Sequence, residues 1–213
     1  MKNVLVIGAS RGIGLEVVQQ ALDRGHSVRA MARSATSISL SDPQLDKCNG
    51  SALSQADVAG ALRDVDAVVM TLGIPAGPEM VLGPVLLFSE ATAVVVAAMR
   101  NTGVRRLLCI TGFGAGDSRA SVGCLQGVVF RMFLGRAYND KDIQEQIIRT
   151  SGLDWVIARP CILTSGRKTE SYKVLLEPKT WRNGVISRAY VADFLVKQIG
   201  DDGLLGHPPV LAY

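Results

Sequence analysis

Residue types that build specialised sites are scarce in this sequence. Its 213 residues include only two histidines and four cysteines, and no two cysteines form a Cys-x-x-Cys pair. Zinc sites draw on such ligands, so we expect no metal site. Aromatic residues make up 5% of the chain, and no run of lysine and arginine exceeds two residues. The stacking side chains and the basic patch that bind nucleic acids are therefore missing, and we expect no nucleic-acid partner.

Long hydrophobic runs are also absent. No apolar stretch approaches the roughly 20 residues that cross a bilayer, and Arg11 closely follows the short apolar run at residues 4–7, unlike in a signal peptide. We therefore expect a cytoplasmic protein with no membrane partner. Because that compartment is reducing, we interpret Cys48, Cys109 and Cys161 as buried thiols.

Short apolar runs alternate with amphipathic helical patterns along the whole chain. This alternation predicts one α/β domain over residues 1–213, a single-domain Rossmann fold whose doubly wound parallel sheet has about six to seven strands with helices on both faces. The predicted strands lie at residues 4–7, 27–31, 45–48, 67–70, 107–110, 155–158 and 210–212. In such a sheet, ligands bind beyond the carboxyl ends of the strands, so the loops after the strands are the candidate functional loops.

The segment Gly8-Ala9-Ser10-Arg11-Gly12-Ile13-Gly14 joins the first strand to the first helix. Glycines at this spacing let the backbone approach a diphosphate, and N–H groups at the start of the helix can donate to it. An ordinary tight turn can also be rich in glycine, but the flanking strand and helix supply the context of a dinucleotide site. We therefore expect the diphosphate to bind Gly8, Ser10, Arg11, Gly12, Ile13 and Gly14.

The end of the second predicted strand indicates which dinucleotide binds. An acidic residue there would bind the ribose hydroxyls of NAD, but the sequence has Arg33 followed by Ser34. A guanidinium can pair with the 2′-phosphate of NADP, and the hydroxyl can add a hydrogen bond. The prediction is NADP(H) in preference to NAD(H), although Arg33 is also compatible with a solvated surface charge. After the fourth strand, Thr71, Leu72 and Gly73 are expected along the cofactor's ribose and diphosphate.

The order of the segments resembles the atypical short-chain dehydrogenases/reductases, and within them the NAD(P)H-binding, NmrA-like group that includes biliverdin-IXβ/flavin reductase. The matching segments are the glycine loop, Arg33, Thr111-Gly112, Asp140-Lys141, Ser151–Trp155, Arg159-Pro160 and Ile186–Ala189. The resemblance implies that Pro160, Cys161 and Ile162 lie beside the nicotinamide, with backbone groups holding its carboxamide. It also implies that Thr111 and Gly112 lie near the nicotinamide ribose.

The residues that supply a proton in typical members of the wider family are only partly present. Those members have a serine after the fifth strand and a Tyr-x-x-x-Lys pair. Here Gly112 stands at the serine position and Lys141 aligns with the lysine, but Ala137 occupies the tyrosine position. Tyr138 is one residue too close to Lys141, and one residue turns a helical side chain by about 100°. Thr111, Tyr138 and Lys141 are the catalytic candidates, with Tyr138 expected to point away from the nicotinamide.

Two further positions depart from the resemblance. Residues 49–51, Asn-Gly-Ser, stand where relatives usually carry Gly-Asp, whose aspartate holds the adenine, and Tyr190 replaces an expected aspartate. On the helix that contains Lys141, one face carries Asp140, Gln144 and Glu145. We interpret this face as solvated and ion-paired.

The missing Ser/Tyr pair disfavours ordinary carbonyl reduction. Flavins, quinones and linear tetrapyrroles delocalise the charge that hydride transfer creates, and they can take a proton from water afterwards. We therefore expect an NADPH-dependent oxidoreductase that acts on such a conjugated small molecule, as a monomer or homodimer. The incomplete set is also compatible with a redox-sensing regulatory protein that binds NAD(P)(H) with little turnover. The apolar segment 122–135 is interpreted as core, pocket floor or dimer contact.

Overall fold

The computed structural model describes residues 1–74, 85–121, 124–166 and 171–213, apart from the side chains of residues 124–134. The strands in these ranges are β1 (Asn3–Ile7), β2 (Ser27–Ala32), β3 (Leu45–Asn49), β4 (Ala67–Met70), β5 (Arg106–Ile110), β6 (Asp154–Pro160), β7 (Ile162–Thr164), β8 (Lys173–Leu175), β9 (Val185–Ser187) and β10 (Val210–Ala212). The helices are α1 (Gly12–Asp23), α2 (Gln55–Ala61), α3 (Leu87–Thr102), α4 (Cys124–Arg149) and α5 (Arg188–Lys197).

Eight of the strands form one sheet in the order β3-β2-β1-β4-β5-β6-β10-β8. All neighbours in it are parallel except β8, which runs antiparallel to β10. The predicted doubly wound parallel fold is therefore confirmed. The sheet exceeds the predicted six to seven strands because β8 lies in a polar segment without the apolar run that marks a central strand.

The central strands of the sheet are buried on both faces, and successive side chains of each strand point to opposite faces. Val4 and Val6 of β1 belong to one buried cluster, whereas Leu5 and Ile7 belong to the other. The first cluster includes apolar side chains of α1 and α5, and the second includes those of α2 and α3. This two-sided burial explains why β1 is an almost continuous apolar run.

The strand order changes direction at β1, since the chain moves outward to β2 and β3 and then crosses back to β4. Ligands in open α/β sheets bind at such a switch point, beyond the carboxyl ends of the strands. The loops that follow β1, β2, β4, β5 and β6 all reach this edge of the sheet. The fold therefore brings the predicted functional loops to one place.

Tyr190 has a structural role that the sequence does not reveal. It is buried, and its ring lies 5.3 Å from that of Tyr172 and 5.7 Å from that of Tyr213, measured between centroids. Such tilted and edge-to-face pairs are favourable arrangements of aromatic rings. The tyrosine therefore joins the start of α5 to the C-terminal residue by packing.

Two expected absences concern membranes and metals. Along the described ranges, no helix combines the length and the apolar character that a membrane crossing requires. In the same ranges, no three side chains of histidine, cysteine, aspartate or glutamate gather as ligands for a metal ion. Helix α4 contains most of the apolar segment 122–135, but the interpretation of its side chains up to residue 134 lies outside the described residues.

Candidate cofactor and reaction site

The glycine loop is built for close packing of β1, α1 and β4. Gly8 has a φ of +87°, which side chains rarely allow, and its N–H donates to the carbonyl oxygen of Met31 at 3.0 Å. A Cβ on Gly14 would overlap the carbonyl oxygen of Gly8 and lie 2.5 Å from Thr71 Oγ1. Thr71 Oγ1 itself donates to the carbonyl oxygen of Ile7 at 2.9 Å. These glycines let the start of α1 come directly against the ends of two strands.

The N-terminus of α1 is open to an anion. Its N-cap residue, Arg11, has extended backbone and makes no side-chain hydrogen bond to the helix, and both Arg11 and Gly12 are exposed. The first N–H groups of a helix lack intrahelical acceptors, and together with the helix dipole they favour a phosphate. The loop that contains Ser10 and Ile13 therefore fits the diphosphate of a dinucleotide.

Arg33 and Ser34 are both exposed directly after β2, beside this loop. The turn that carries them is fixed by Asn49, whose Oδ1 accepts hydrogen bonds from the backbone N–H groups of Ala35 at 2.7 Å and Thr36 at 3.4 Å. The side chain of Asn49 is thus occupied in holding the turn. Arg33 forms no ion pair with any described residue, so its guanidinium is available to a phosphate.

The residues after β4 differ in how strongly the structure constrains them. Thr71 is half-buried and links the ends of β4 and β1, whereas Gly73 is exposed and a Cβ there would meet no atom within 4 Å. Leu72 packs at the margin of the second buried cluster. Thr71 therefore shapes the floor of the loop, and the described surroundings do not require a glycine at position 73.

The three catalytic candidates come together at the end of β5. Lys141 Nζ donates to the carbonyl oxygen of Thr111 at 2.5 Å and lies 5.0 Å from the centroids of the Tyr138 and Phe88 rings. A Cβ on Gly112 would lie 2.6 Å from the hydroxyl oxygen of Tyr138. The missing side chain at position 112 therefore makes room for the tyrosine hydroxyl. Tyr138 thus lies against the end of β5, and whether it points away from the nicotinamide stays a prediction.

Burial shifts the protonation of both side chains. It raises the pKa of Tyr138 to about 12, with a smaller contribution from Cys161, so the phenol is protonated at neutral pH. Burial lowers the pKa of Lys141 to about 8. The tyrosine pKa is thus shifted away from neutrality, which is the opposite of what a Tyr-x-x-x-Lys pair achieves.

The helical face that we interpreted as solvated is buried. Asp140 is 2% exposed, and its carboxylate accepts from the backbone N–H of Phe88 at 2.8 Å, at the start of α3. Gln144 Nε2 donates to Thr92 Oγ1 at 3.1 Å. Glu145 is 1% exposed. The interpretation was wrong because α3, β5 and β6 cover this face of α4, and sequence spacing does not show which elements lie opposite.

Glu145 forms a buried ion pair with Arg159, which the sequence analysis missed. Arg159 Nε and Nη2 donate to the two carboxylate oxygens at 2.9 and 2.6 Å, and both side chains are almost fully buried. Thr111 Oγ1 donates to Glu145 Oε1 at 2.8 Å, and Asp117 lies 2.5 Å from Arg159 Nη2. Although burial alone lowers the pKa of Arg159, its hydrogen bonds to Glu145 raise it above the ordinary value. We call Thr111, Glu145, Arg159 and Asp117 the buried network.

A signal for part of this network was present in the sequence. Arg159 is the penultimate residue of β6 and follows four apolar residues, and a buried arginine requires a carboxylate partner. The identity of that partner depends on how α4 crosses the sheet.

The residues after β6 are already engaged within the protein. The N–H of Cys161 donates to Leu211 at 3.0 Å, and that of Ile162 donates to Gly184 at 3.1 Å, in each case to the carbonyl oxygen. The carbonyl oxygen of Pro160 accepts from the N–H of Phe113 at 2.9 Å. The donors that we expected to hold a carboxamide are therefore occupied, which restricts Cys161 and Ile162 to accepting hydrogen bonds there.

Comparison with known proteins identifies the family. A family model described as NAD(P)H-binding matches residues 8–202. The YwnB protein of Bacillus subtilis is 25% identical over 173 residues, which is 79% of this chain and 76% of that protein. The expectation of an oxidoreductase agrees with this family.

Two solved structures share the fold. ChuY of Escherichia coli O157:H7, described as an anaerobillin reductase, has a TM-score of 0.80 at 24% identity and covers 99% of this chain and 96% of its own. A short-chain dehydrogenase/reductase of Veillonella parvula, in complex with NADP, has a TM-score of 0.83 at 15% identity and covers 100% of this chain and 94% of its own. The glycine loop, the uncapped start of α1 and the family match together show that this chain belongs to the NAD(P)H-binding family of Rossmann-fold proteins.

Proposed function

We propose that this chain is an NADPH-dependent reductase that transfers hydride to a conjugated small molecule such as a flavin, a quinone or a linear tetrapyrrole. The observation that carries the proposal is the position of Tyr138, whose hydroxyl fills the space left by Gly112. The serine of typical short-chain dehydrogenases is absent there, and burial raises the pKa of the tyrosine to about 12. At that pKa the phenol is a weaker proton donor than a tyrosine whose pKa is lowered by a lysine, so reduction of an ordinary carbonyl to an alcohol is disfavoured.

The position of Lys141 supports the same conclusion. Its ammonium group donates to the carbonyl oxygen of Thr111 at 2.5 Å and lies over the faces of two rings, at 5.0 Å from each centroid. A cation in that place stabilises the end of β5, where the nicotinamide ribose of a bound cofactor would lie. When bound, the reduced nicotinamide supplies the hydride. A conjugated acceptor spreads the resulting charge and takes its proton from water, so a tuned phenol is not required.

NADPH is proposed over NADH because of the cations at the carboxyl edge. Arg33 is exposed and free of ion pairs with described residues, and it follows β2 where an acidic residue would select NAD. Arg11, in the glycine loop after β1, is a second exposed arginine at this edge of the sheet. The Veillonella parvula structure, which holds NADP, agrees with this choice. For the acceptor, the description of ChuY as an anaerobillin reductase is in keeping with a conjugated molecule.

Steady-state oxidation of NADPH tests the proposal. The acceptors would be FMN, menadione and biliverdin, with a panel of aliphatic and aromatic ketones as the comparison set. We expect turnover with at least one conjugated acceptor and little with the ketones. Efficient turnover of ketones alone would overturn the acceptor class. Tight binding of NADPH without turnover of any acceptor would instead favour a redox-sensing protein.

A further inference from the structure

Arg188 reaches the glycine loop from the far end of the chain. Its Cδ lies 4.0 Å from the point where a Cβ on Gly12 would stand, and outside the adjoining residues and the backbone of α1 no other described atom comes within that distance. Gly12 is exposed, with a φ of +58°. The space over the middle of the loop is therefore open except on the side of Arg188.

The packing of α5 against α1 places this side chain. Gln20 Nε2 donates to the carbonyl oxygen of Ala189 at 2.9 Å, and Arg24 pairs with Asp193 at 2.7 Å. Each partner lies four residues further along its own helix, so the two helices run parallel and the N-terminus of α5 points toward the carboxyl edge of the sheet. Arg188 is the first residue of α5, and side chains of a helix point toward its N-terminus. Its guanidinium is thus directed to the edge where the cofactor binds.

The guanidinium is held in place but keeps donors for a ligand. Its Nη1 donates to the carbonyl oxygen of Thr164 at 3.0 Å and to Ser165 Oγ at 3.1 Å. Among the described residues, neither Nε nor Nη2 has a partner, and no carboxylate pairs with Arg188. A guanidinium whose Nε–H and Nη2–H groups have no acceptor can donate two hydrogen bonds to the oxygens of a phosphate. Because this guanidinium is already held in place, it loses little conformational entropy on binding.

We propose that Arg188 binds the diphosphate bridge of the nicotinamide dinucleotide, together with the N–H groups at the start of α1. The proposal rests on the proposed function and adds a residue to that site. It assigns different phosphates to two arginines: Arg33 to the 2′-phosphate that only NADP carries, and Arg188 to the diphosphate that both dinucleotides share. Thr164 and Ser165 act as positioning residues for Arg188.

Binding titrations separate the two assignments. NADPH, NADH and ADP would be titrated by calorimetry against the wild-type protein and against Arg188→Gln, Arg188→Lys and Ser165→Ala. The matched control is Arg63→Gln, which removes an exposed arginine at the opposite end of the sheet. We expect Arg188→Gln to weaken all three ligands by about tenfold, because a charged hydrogen bond is lost. Arg188→Lys should recover part of the affinity, Ser165→Ala should cost about threefold, and Arg63→Gln should cost nothing.

The results distinguish failure of the Arg188 assignment from failure of the proposed function. Unchanged affinity of Arg188→Gln for NADH and ADP would overturn the assignment while leaving the proposed function intact. A loss confined to NADPH would overturn it too, since it would move Arg188 to the 2′-phosphate. A loss in which Arg188→Lys is no better than Arg188→Gln, with both variants melting below wild type, would show a purely structural role. If the wild-type protein bound neither dinucleotide, the proposed function would fail and the inference with it.

Discussion

The glycine loop and the buried network reach the same edge of the sheet, but the first is formed by backbone groups and the second by charged and polar side chains. The loop acts through its backbone: Gly8 and Gly14 allow close packing, and no side chain caps the first N–H groups of α1. The buried network acts through side chains that come from the loops and elements around β5, α4 and β6. Contiguous residues build the first region, whereas residues up to 48 positions apart in the chain, Thr111 and Arg159, meet in the second.

This difference determines how each region fails. Side-chain atoms added to the close-packed glycine loop destabilise the fold by steric overlap. Removal of one charge from the buried network destabilises the fold because it leaves the opposite charge buried without its partner. Substitutions in the two regions and in the residues beside them test that contrast.

Glu145→Gln should reduce the free energy of unfolding by about 3–5 kcal/mol, because it leaves the guanidinium of Arg159 buried without its main counter-charge. Chemical denaturation with urea measures the change. The double variant Glu145→Leu/Arg159→Met removes both charges, and it should recover most of the loss. If the single variant were as stable as the wild type, the network would contribute nothing to folding.

Gly14→Ala should reduce the free energy of unfolding by about 3 kcal/mol, since the methyl group would overlap the Gly8 carbonyl and force α1 away from β1. Dinucleotide binding should be lost with it. Gly60→Ala, in α2, is the matched control, because a Cβ there meets no atom within 4 Å. Thermal melts and NADPH titration would check both variants, and equal effects would contradict the steric account.

Arg33→Glu should weaken NADPH binding by several-fold to a hundredfold and spare NADH. The expected loss follows from a charge-assisted hydrogen bond, which contributes roughly 1.5–3 kcal/mol. Fluorescence titration with the two cofactors measures the ratio. Equal losses for both would show that Arg33 does not discriminate between them.

Lys141→Met should change how stability depends on pH. The pKa of Lys141 falls from 10.5 to about 8 on burial, so between these values the unfolded chain binds more protons than the folded one. The free energy of unfolding therefore gains a contribution that rises with pH across this window. Buried thiols whose pKa is raised, such as that of Cys161, have the opposite effect on the free energy of unfolding, so the comparison with the Lys141→Met variant is needed to isolate the lysine. We expect the free energy of unfolding of the wild type, minus that of Lys141→Met, to rise from pH 8 to pH 10 when both are measured by urea denaturation. A difference that does not change with pH would contradict the lowered pKa of Lys141.

Much of the fold could be predicted because its signals are local. The apolar runs of β1 and β4 and the glycines after β1 are contiguous in the chain, and each predicts its own element. The edge strand β8 was missed since it has only three residues, Lys173–Leu175, which are mostly exposed and lie within a polar segment. Strand pairing at an edge depends on a partner, here β10, that lies far along the chain.

The candidate site divides in the same way. Lys141 and Thr111 were named from the sequence, and the structure joins them. The contact between the Tyr138 hydroxyl and Gly112 was not foreseen, because an offset of one residue says nothing of the space that Gly112 leaves open, and the orientation of Tyr138 relative to the nicotinamide stays a prediction. Whether these residues act on a cofactor stays a prediction.

By itself, the sequence determined the Rossmann class, the loop that suits a dinucleotide and the cation after β2. These properties depend on backbone conformation and on periodicity over a few residues. Only the tertiary structure decided that Glu145 meets Arg159, that Asp140 holds the start of α3 and that Arg188 lies beside Gly12. These contacts join residues far apart in the chain. The distances between such residues depend on how the strands are connected and how the helices pack, which the spacing of residues along the chain does not show.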